Sequence, residues 1–189
     1  YGGGVHAEGG SLSMESVTLV GNLATVGGGL STEDLEGGAI AGILLSDNEA
    51  GTVGGGLFSA GDALTPGNSA FWGNAPDDYD GVADPSVSGD NLFEDPLLLD
   101  LSNTDARGWD VHLDPSSPLV DAGASSSSDP DGGPADIGAF GGPGAGSWDL
   151  DGDGAPSWWQ PGPYDEAAYP KEGWDCDDRD PDVISGCGS

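Results

Sequence analysis

The residues with the sharpest chemical spacing stand near the end of the chain. Trp148-Asp-Leu-Asp-Gly-Asp-Gly154 sets Asp149, Asp151 and Asp153 at alternate positions, with glycines that let the loop curl. Carboxylates at positions 1, 3 and 5 followed by glycine at 6 form the first half of a calcium loop of the EF-hand type. The carbonyl of Ala155 falls at position 7. Position 12, where a bidentate glutamate belongs, holds Gln160, a single neutral oxygen. The missing carboxylates must come from elsewhere, and Asp175-Cys-Asp-Asp-Arg-Asp-Pro-Asp182 offers them some twenty residues on. Hard carboxylate oxygens with no histidine in the tail suit Ca²⁺ and not zinc or copper. The plainer alternative for Asp-Gly-Asp-Gly is a pair of solvated turns.

Weaker candidates lie elsewhere. Asp129-Pro-Asp-Gly-Gly-Pro-Ala-Asp136 fits a second cation or, more simply, a turn. His6 follows a glycine corner and His112 sits between Val111 and Leu113, so both read as surface or packing residues before catalysts. Trp158, Trp159 and Tyr164 could stack on sugar rings, but in so polar a tail they also suit a miniature core.

The elements that must carry these residues are written as a repeat. Val17-Thr-Leu-Val-Gly-Asn-Leu-Ala-Thr-Val-Gly-Gly-Gly29 returns as Ile43-Leu-Leu-Ser-Asp-Asn-Glu-Ala-Gly-Thr-Val-Gly-Gly-Gly56, then in degraded form from Ser69 to Pro76. Aligned on Asn22, Asn48 and Asn74, Val17/Ile43/Ser69 and Leu19/Leu45/Phe71 fall in register, as do Leu12/Gly38/Leu64 and Met14/Ile40/Pro66. The asparagines stand 26 residues apart, and a fixed period of roughly 20–50 residues marks a solenoid or an array. Apolar residues alternate within each copy, which is the period of a strand. Gly-Gly-Gly would cost roughly 1 kcal/mol per glycine inside a helix, whereas tight corners need glycine's positive φ. Each asparagine can serve as a left-handed turn former or as a rung of a side-chain amide ladder. Either way the expected fold is all-β: a right-handed, single-stranded parallel β-helix with rungs ~4.8 Å apart.

Composition narrows the function. Against 34 acidic residues stand Arg107, Lys171 and Arg179, a formal net charge of −31. Such a surface repels nucleic acid and anionic membranes, and repels itself unless cations are bound. No apolar run is long enough to span a membrane. Two cysteines, Cys176 and Cys187, fit a disulfide and an oxidising compartment. The chain opens in mid-repeat at Gly2-Gly-Gly4, so it reads as a segment of a longer protein.

The stretch GGGVHAEGGSLSMESVTLVGNLATVGGGL resembles the right-handed β-helix repeats of large secreted or surface-anchored bacterial proteins, related in shape to pectate lyases. The segment NLFEDPLLLD…WDVHLDPSSPLVDAG…DPDGGPADIGAFGGP resembles their closing coils. The tail pair D-x-D-G-D-G and D-C-D-D-x-D-P resembles MopE-like metal-binding repeats and, more distantly, thrombospondin type 3 and dockerin loops. That resemblance implies a Ca²⁺ site of Asp149, Asp151 and Asp153 closed by Asp175 and Asp178, with Asp180 in reserve. The cysteine usual between the two clusters is missing here, which leaves Cys176 to pair with Cys187.

Three regions follow: β-helix coils and their closing region over 1–143, a glycine-rich hinge at 144–147, and an acidic calcium-binding tail over 148–189. Within the first, 77–91 reads as a lateral loop, the short apolar pieces from Leu92 to Val120 as further irregular coils, and Ile137-Gly-Ala-Phe140 as a last strand. Lyases on this scaffold rely on Arg or Lys, and the coil region holds only Arg107. The expected function is therefore a non-catalytic, secreted or cell-surface bacterial scaffold or adhesion-type protein. Its partner would be an extracellular polysaccharide or a cell-surface molecule. The alternative is a piece of a polysaccharide-active lyase or hydrolase.

One expectation is directly measurable. Closing the short loop between Cys176 and Cys187 should stabilise the tail by roughly 2–3 kcal/mol. Intact mass of protein secreted from an oxidising compartment should be two protons lighter before reduction than after. Two free thiols there refute the pairing.

Overall fold

The structure is a computed structural model that describes residues 1–61, 64–114, 116–128, 133–143 and 145. It is all-β, apart from short 3-10 turns at Pro85–Val87 and Ala106–Gly108. The first turn of the chain carries β1 (Val5–Glu8), β2 (Ser11–Glu15), β3 (Thr18–Val20) and β4 (Leu23–Val26). The second carries β5 (Leu30–Glu33), β6 (Gly37–Ala41), β7 (Leu44–Ser46) and β8 (Glu49–Val53). The third carries β9 (Leu57–Ala60), β10 (Pro66–Gly67) and β11 (Ala70–Trp72), and β12 (Tyr79–Asp80) opens the fourth. Each strand pairs in parallel with its counterpart one turn on, giving sheets ordered β1-β5-β9-β12, β2-β6-β10, β3-β7-β11 and β4-β8.

The register is the one that the repeat predicts. Leu19 faces Leu45 and Leu45 faces Phe71; Met14 faces Ile40 and Ile40 faces Pro66. Alternate residues point inward and meet in one core of Leu30, Ile40, Ile43, Leu45, Leu57, Leu64 and Phe71. The interior closes with aromatic rings: Phe93 stacks on Phe71 at 5.3 Å between centroids, with Tyr79 edge-on to both.

The asparagines form the ladder. Asn22 Nδ2 donates to Asn48 Oδ1 at 2.9 Å, and Asn48 Nδ2 donates to Asn74 Oδ1 at 3.0 Å. Each acceptor also takes the backbone N–H of the asparagine one turn earlier, at 3.0 Å. The second amide hydrogen of Asn48 reaches Leu19 O and that of Asn74 reaches Leu45 O, each at 2.9 Å, while the Asp78 carboxylate takes the remaining Asn74 hydrogen at 2.8 Å, where the ladder ends. The left-handed residue is not the asparagine but the one before it: Gly21, Asp47 and Gly73, with φ of 66°, 53° and 65°. That geometry turns the corner and leaves the asparagine free to point inward.

Gly27-Gly28-Gly29 divides the work of its corner. Gly27 has φ 61°. A Cβ on Gly28 would lie 2.5 Å from Gly55 O, and one on Gly29 would lie 3.1 Å from the Asn48 carboxamide carbon. Only glycine lets the backbone approach the next turn and the ladder this closely.

The later chain departs from expectation. Residues 77–91 are not a lateral loop alone, because Tyr79–Asp80 joins the first sheet and Leu92 bridges to Ala70. The fourth turn is shorter, with Asn91 accepting from Ser69 N 22 residues back. The apolar pieces beyond Phe93 lie outside the stack and not in line with it. β13 (Leu98–Asp100) and β14 (Asp110–Leu113) pair antiparallel. Leu113, Leu119 and Ile137 bury Leu44 and Ala70 on the outer face of β7 and β11. Ile137-Gly-Ala-Phe140 is an irregular strap, not a strand: Gly138 N donates to Gly42 O at 2.9 Å and Ala139 N to Thr18 Oγ1 at 3.0 Å. The physical reason is that Leu44 and Ala70 are apolar at outward positions and need a cover.

The ladder's contribution can be measured. Asn48→Leu fills the same space but strands the Asn22 N–H and takes one of two partners from Asn22 Nδ2 and from Asn74 Oδ1, which keep Val20 O and the backbone N–H of residue 48. At 1–3 kcal/mol for a stranded group, the loss should be on the order of 2 kcal/mol by urea unfolding. A loss under about 1 kcal/mol would mean that apolar stacking alone sets the register.

Candidate functional site

The residues singled out for metal binding, Asp149, Asp151, Asp153, Asp175 and Asp178, lie outside the described residues, as do Cys176 and Cys187. Trp158, Trp159 and Tyr164 lie there too, with most of the 144–147 hinge. Asp129 and Asp131 are likewise outside, but Asp136 is described and buried. Its Oδ1 accepts the Asp121 N–H at 2.8 Å, so it serves the fold's own backbone.

The two histidines are far apart in role. His6 is exposed on the outward face of β1 and stacks on Tyr1 at 5.8 Å. His112 is enclosed by the outer layer. Its Nδ1 lies 2.6 Å from Asp110 Oδ1, and an ionised carboxylate can only accept, so the imidazole carries its proton on Nδ1. Its ring lies 3.6 Å from the Phe140 centroid, and its Nε2 is buried without a hydrogen-bond partner. An Asp–His pair of this kind has the makings of a general base. Here the basic nitrogen is shut off from solvent, so the pair works as packing that pins β14 to the strap.

The acidic residues of the outer layer are mostly occupied as turn formers. Asp84, Asp95, Asp100, Asp105, Asp110 and Asp114 each accept the backbone N–H two residues on, at 2.8–3.1 Å, and Asn103 does the same for Asp105. These are Asx turns, in which a side-chain oxygen stands in for a backbone carbonyl. Two share the sequence Asp-Pro-Ser, and there the serine hydroxyl also donates to the carboxylate, at 2.6 Å from both Ser86 and Ser116. The Ser86 hydroxyl, then the Tyr79 hydroxyl, hold Asp84 below the ordinary carboxylate range, and Ser116 does the same for Asp114. The Tyr79 phenol is pushed up, chiefly because it donates to Asp84 at 2.7 Å. An open depression of about 430 Å³ runs along residues 86–92, beside this hub.

The outward columns of the first sheet carry His6, Ser31, Phe58 and Asp80, then Glu8 beside Glu33. The second sheet presents Ser11 beside Gly37 and Ser13 beside Ala39, a flat face of small residues. Sequence reading missed the turn-forming duty of the loop acids and the Asp110–His112 pair. The D-P-S spacing was the available signal for the former. No protein-family model, curated protein or solved structure matches the chain.

The carboxylate hub gives a pH prediction. A group whose folded pKa is lowered contributes stability above its unfolded value and loses it as pH falls through the folded value. The turns at Asp84 and Asp114 should therefore stay formed through the ordinary Asp titration range and open only below it. Carboxyl-carbon NMR should place both titrations under those of Asp residues in model peptides. Ser116→Ala should return Asp114 toward the ordinary value while Asp84 stays low.

Proposed function

We propose that the chain is a non-catalytic scaffold. Its coils form a right-handed, single-stranded parallel β-helix of the kind found in secreted or surface-displayed bacterial proteins. Residues 148–189 form a tail folded around Ca²⁺ through Asp149, Asp151, Asp153, Asp175 and Asp178. The partner would be an extracellular polysaccharide or a cell-surface molecule met along the flat outer faces.

The observation that carries this reading is how the polar groups of the described residues are used. The ladder amides bond to each other, the loop carboxylates cap their own turns, and the Asp110–His112 pair is sealed under Phe140. These residues position backbone, and a repeat that devotes its polar side chains to self-support fits a stalk or platform. The tail's sequence is acidic and poor in apolar residues, and a polypeptide of that length needs a staple.

Calcium tests the tail. Extracellular calcium modules bind at about 10⁻⁴–10⁻³ M, so titration in that range should change tryptophan fluorescence through Trp148, Trp158, Trp159 and Trp174. Asp151→Ala should abolish the response and Asp165→Ala should not. A flat signal up to ~10 mM, well above the range of such sites, makes the motif a string of acidic turns. A polysaccharide panel assayed with and without Ca²⁺ tests the rest. Chain cleavage of any member would replace the scaffold with an enzyme.

A further inference from the structure

The outward face of the first sheet, β1-β5-β9-β12, carries two columns. His6, Ser31, Phe58 and Asp80 stand in register one turn apart, and two residues further along the strands Glu8 stands beside Glu33. Neighbours along such a column are ~4.8 Å apart. Tyr1 joins the first column, its ring stacked on His6 at 5.8 Å between centroids. An aromatic column thus runs beside an acidic one.

These acids differ from those of the outer layer, whose carboxylates cap their own turns. Arg107 is the one lysine or arginine among the described residues, and it pairs with Asp105 in the outer layer, so no basic side chain answers Glu8 and Glu33. No three histidine, cysteine or acidic side chains among the described residues come together as a metal ion requires. The negative charge is drawn out along the stack, which suits a chain of cations better than a point ion.

Ser31 adds an observation independent of charge. Leu30 and Thr32 on either side of it point inward, where Thr32 Oγ1 donates to Ser59 Oγ at 2.9 Å, so Ser31 points to the outward face between His6 and Phe58. Gly27 packs so closely against it that a Cβ there would lie 2.6 Å from the Ser31 Cβ. The residue is 0% exposed, and its hydroxyl has no hydrogen-bond partner. A buried hydroxyl in that state gains from any ligand that brings a partner. His6 is exposed, and turning its ring aside opens the way to that hydroxyl.

We infer that this face binds a glycan whose sugars carry free ammonium groups, an inference that rests on the polysaccharide partner proposed above and names its class. His6 and Phe58 offer ring faces to the sugars, Glu8 and Glu33 pair with the ammonium groups, and a sugar hydroxyl meets Ser31 Oγ. One step between turns is close to the length of one sugar unit, so a glycan lying along the stack meets new partners at each turn. The net charge of −31 works against an acidic glycan on any face.

The test titrates the full chain with a hexamer of glucosamine, at a pH where its amines are protonated, and with a hexamer of N-acetylglucosamine. The two share their ring faces and differ in charge. The charged hexamer should bind about tenfold or more tightly, by electrostatic complementarity, and added salt should narrow the gap. Glu8→Gln with Glu33→Gln should abolish the difference without lowering Tm, because it removes a like-charge pair. Phe58→Ala and Ser31→Ala should each weaken both hexamers. Equal affinity for the two hexamers, or an affinity for the charged one that none of these substitutions changes, overturns the inference. So does tighter binding of a lysine hexamer, which would make the partner a basic peptide. New reducing ends are scored separately from binding, and their appearance would instead overturn the scaffold reading.

Discussion

A column of side chains continues only where the chain returns to the same place after every turn, and that equality of turn length is the constraint on which the rest depends. Asn22, Asn48 and Asn74 stand 26 residues apart and are joined by side-chain hydrogen bonds of 2.9 and 3.0 Å. A slip of one residue would turn every inward side chain outward. Local deviations are nevertheless present. Val5 pairs with Leu30 and Leu30 with Leu57, one residue short of the ladder's spacing and one beyond it. The extra residue sits in β8, where the pairing shifts between Ala24 and Val26, and Thr52 Oγ1 ties it to Thr25 O at 2.8 Å. The bulge takes up the slack beside the glycine corner, so the next turn starts in phase.

The outer layer follows from a departure from the inside-outside pattern on one sheet. Most outward positions of the stack are polar or small, but β7 and β11 present Leu44 and Ala70. Chain that has left the stack after Phe93 returns along this face and seals it with Leu113, Leu119 and Ile137. Trp109 lies over the adjacent corner, where a Cβ on Gly21 would sit 2.6 Å from its ring. Gly21 therefore has two reasons to be glycine, its φ of 66° and the indole above it. Asp136 Oδ1 accepts the Asp121 N–H and the Thr18 hydroxyl accepts that of Ala139, so hydrogen bonds hold the returning chain where apolar contact is thin.

The repeat was legible because period, alternation and glycine corners agree in one short stretch. Leu19, Leu45 and Phe71 align on the asparagine spacing alone, and so do Met14, Ile40 and Pro66. The ladder was legible only as one of two options, since the sequence marks an asparagine column without saying which residue of the corner is left-handed. The outer layer was not legible. Short apolar pieces such as Leu97-Leu98-Leu99 and Val111-His112-Leu113 have no period, and nothing local distinguishes another rung from a cover. Tyr79 was hidden for a related reason: the third copy runs from Asn74 to its next strand by a shorter path, so the alignment that found the first three asparagines stops there. The role of His112 depends on Asp110 and on Phe140, and only the first of these is near it in sequence.

The charge of −31 looks at first like a surface built to attract cations everywhere. The described residues argue for a division of labour. In the outer layer an aspartate that accepts its own N–H two residues on already has partners for its negative charge, and a serine hydroxyl lowers Asp84 and Asp114 further. Those carboxylates gain little from a metal ion, because their best oxygens are committed to the backbone. Glu8 beside Glu33 is the opposite case: neighbours in register on an outward column, where like charges repel and only solvent and counterions relieve them. Asp149, Asp151 and Asp153 lie outside the described residues, and it is their alternate spacing followed by Gly154, and not the acidity of the chain as a whole, on which the calcium proposal rests.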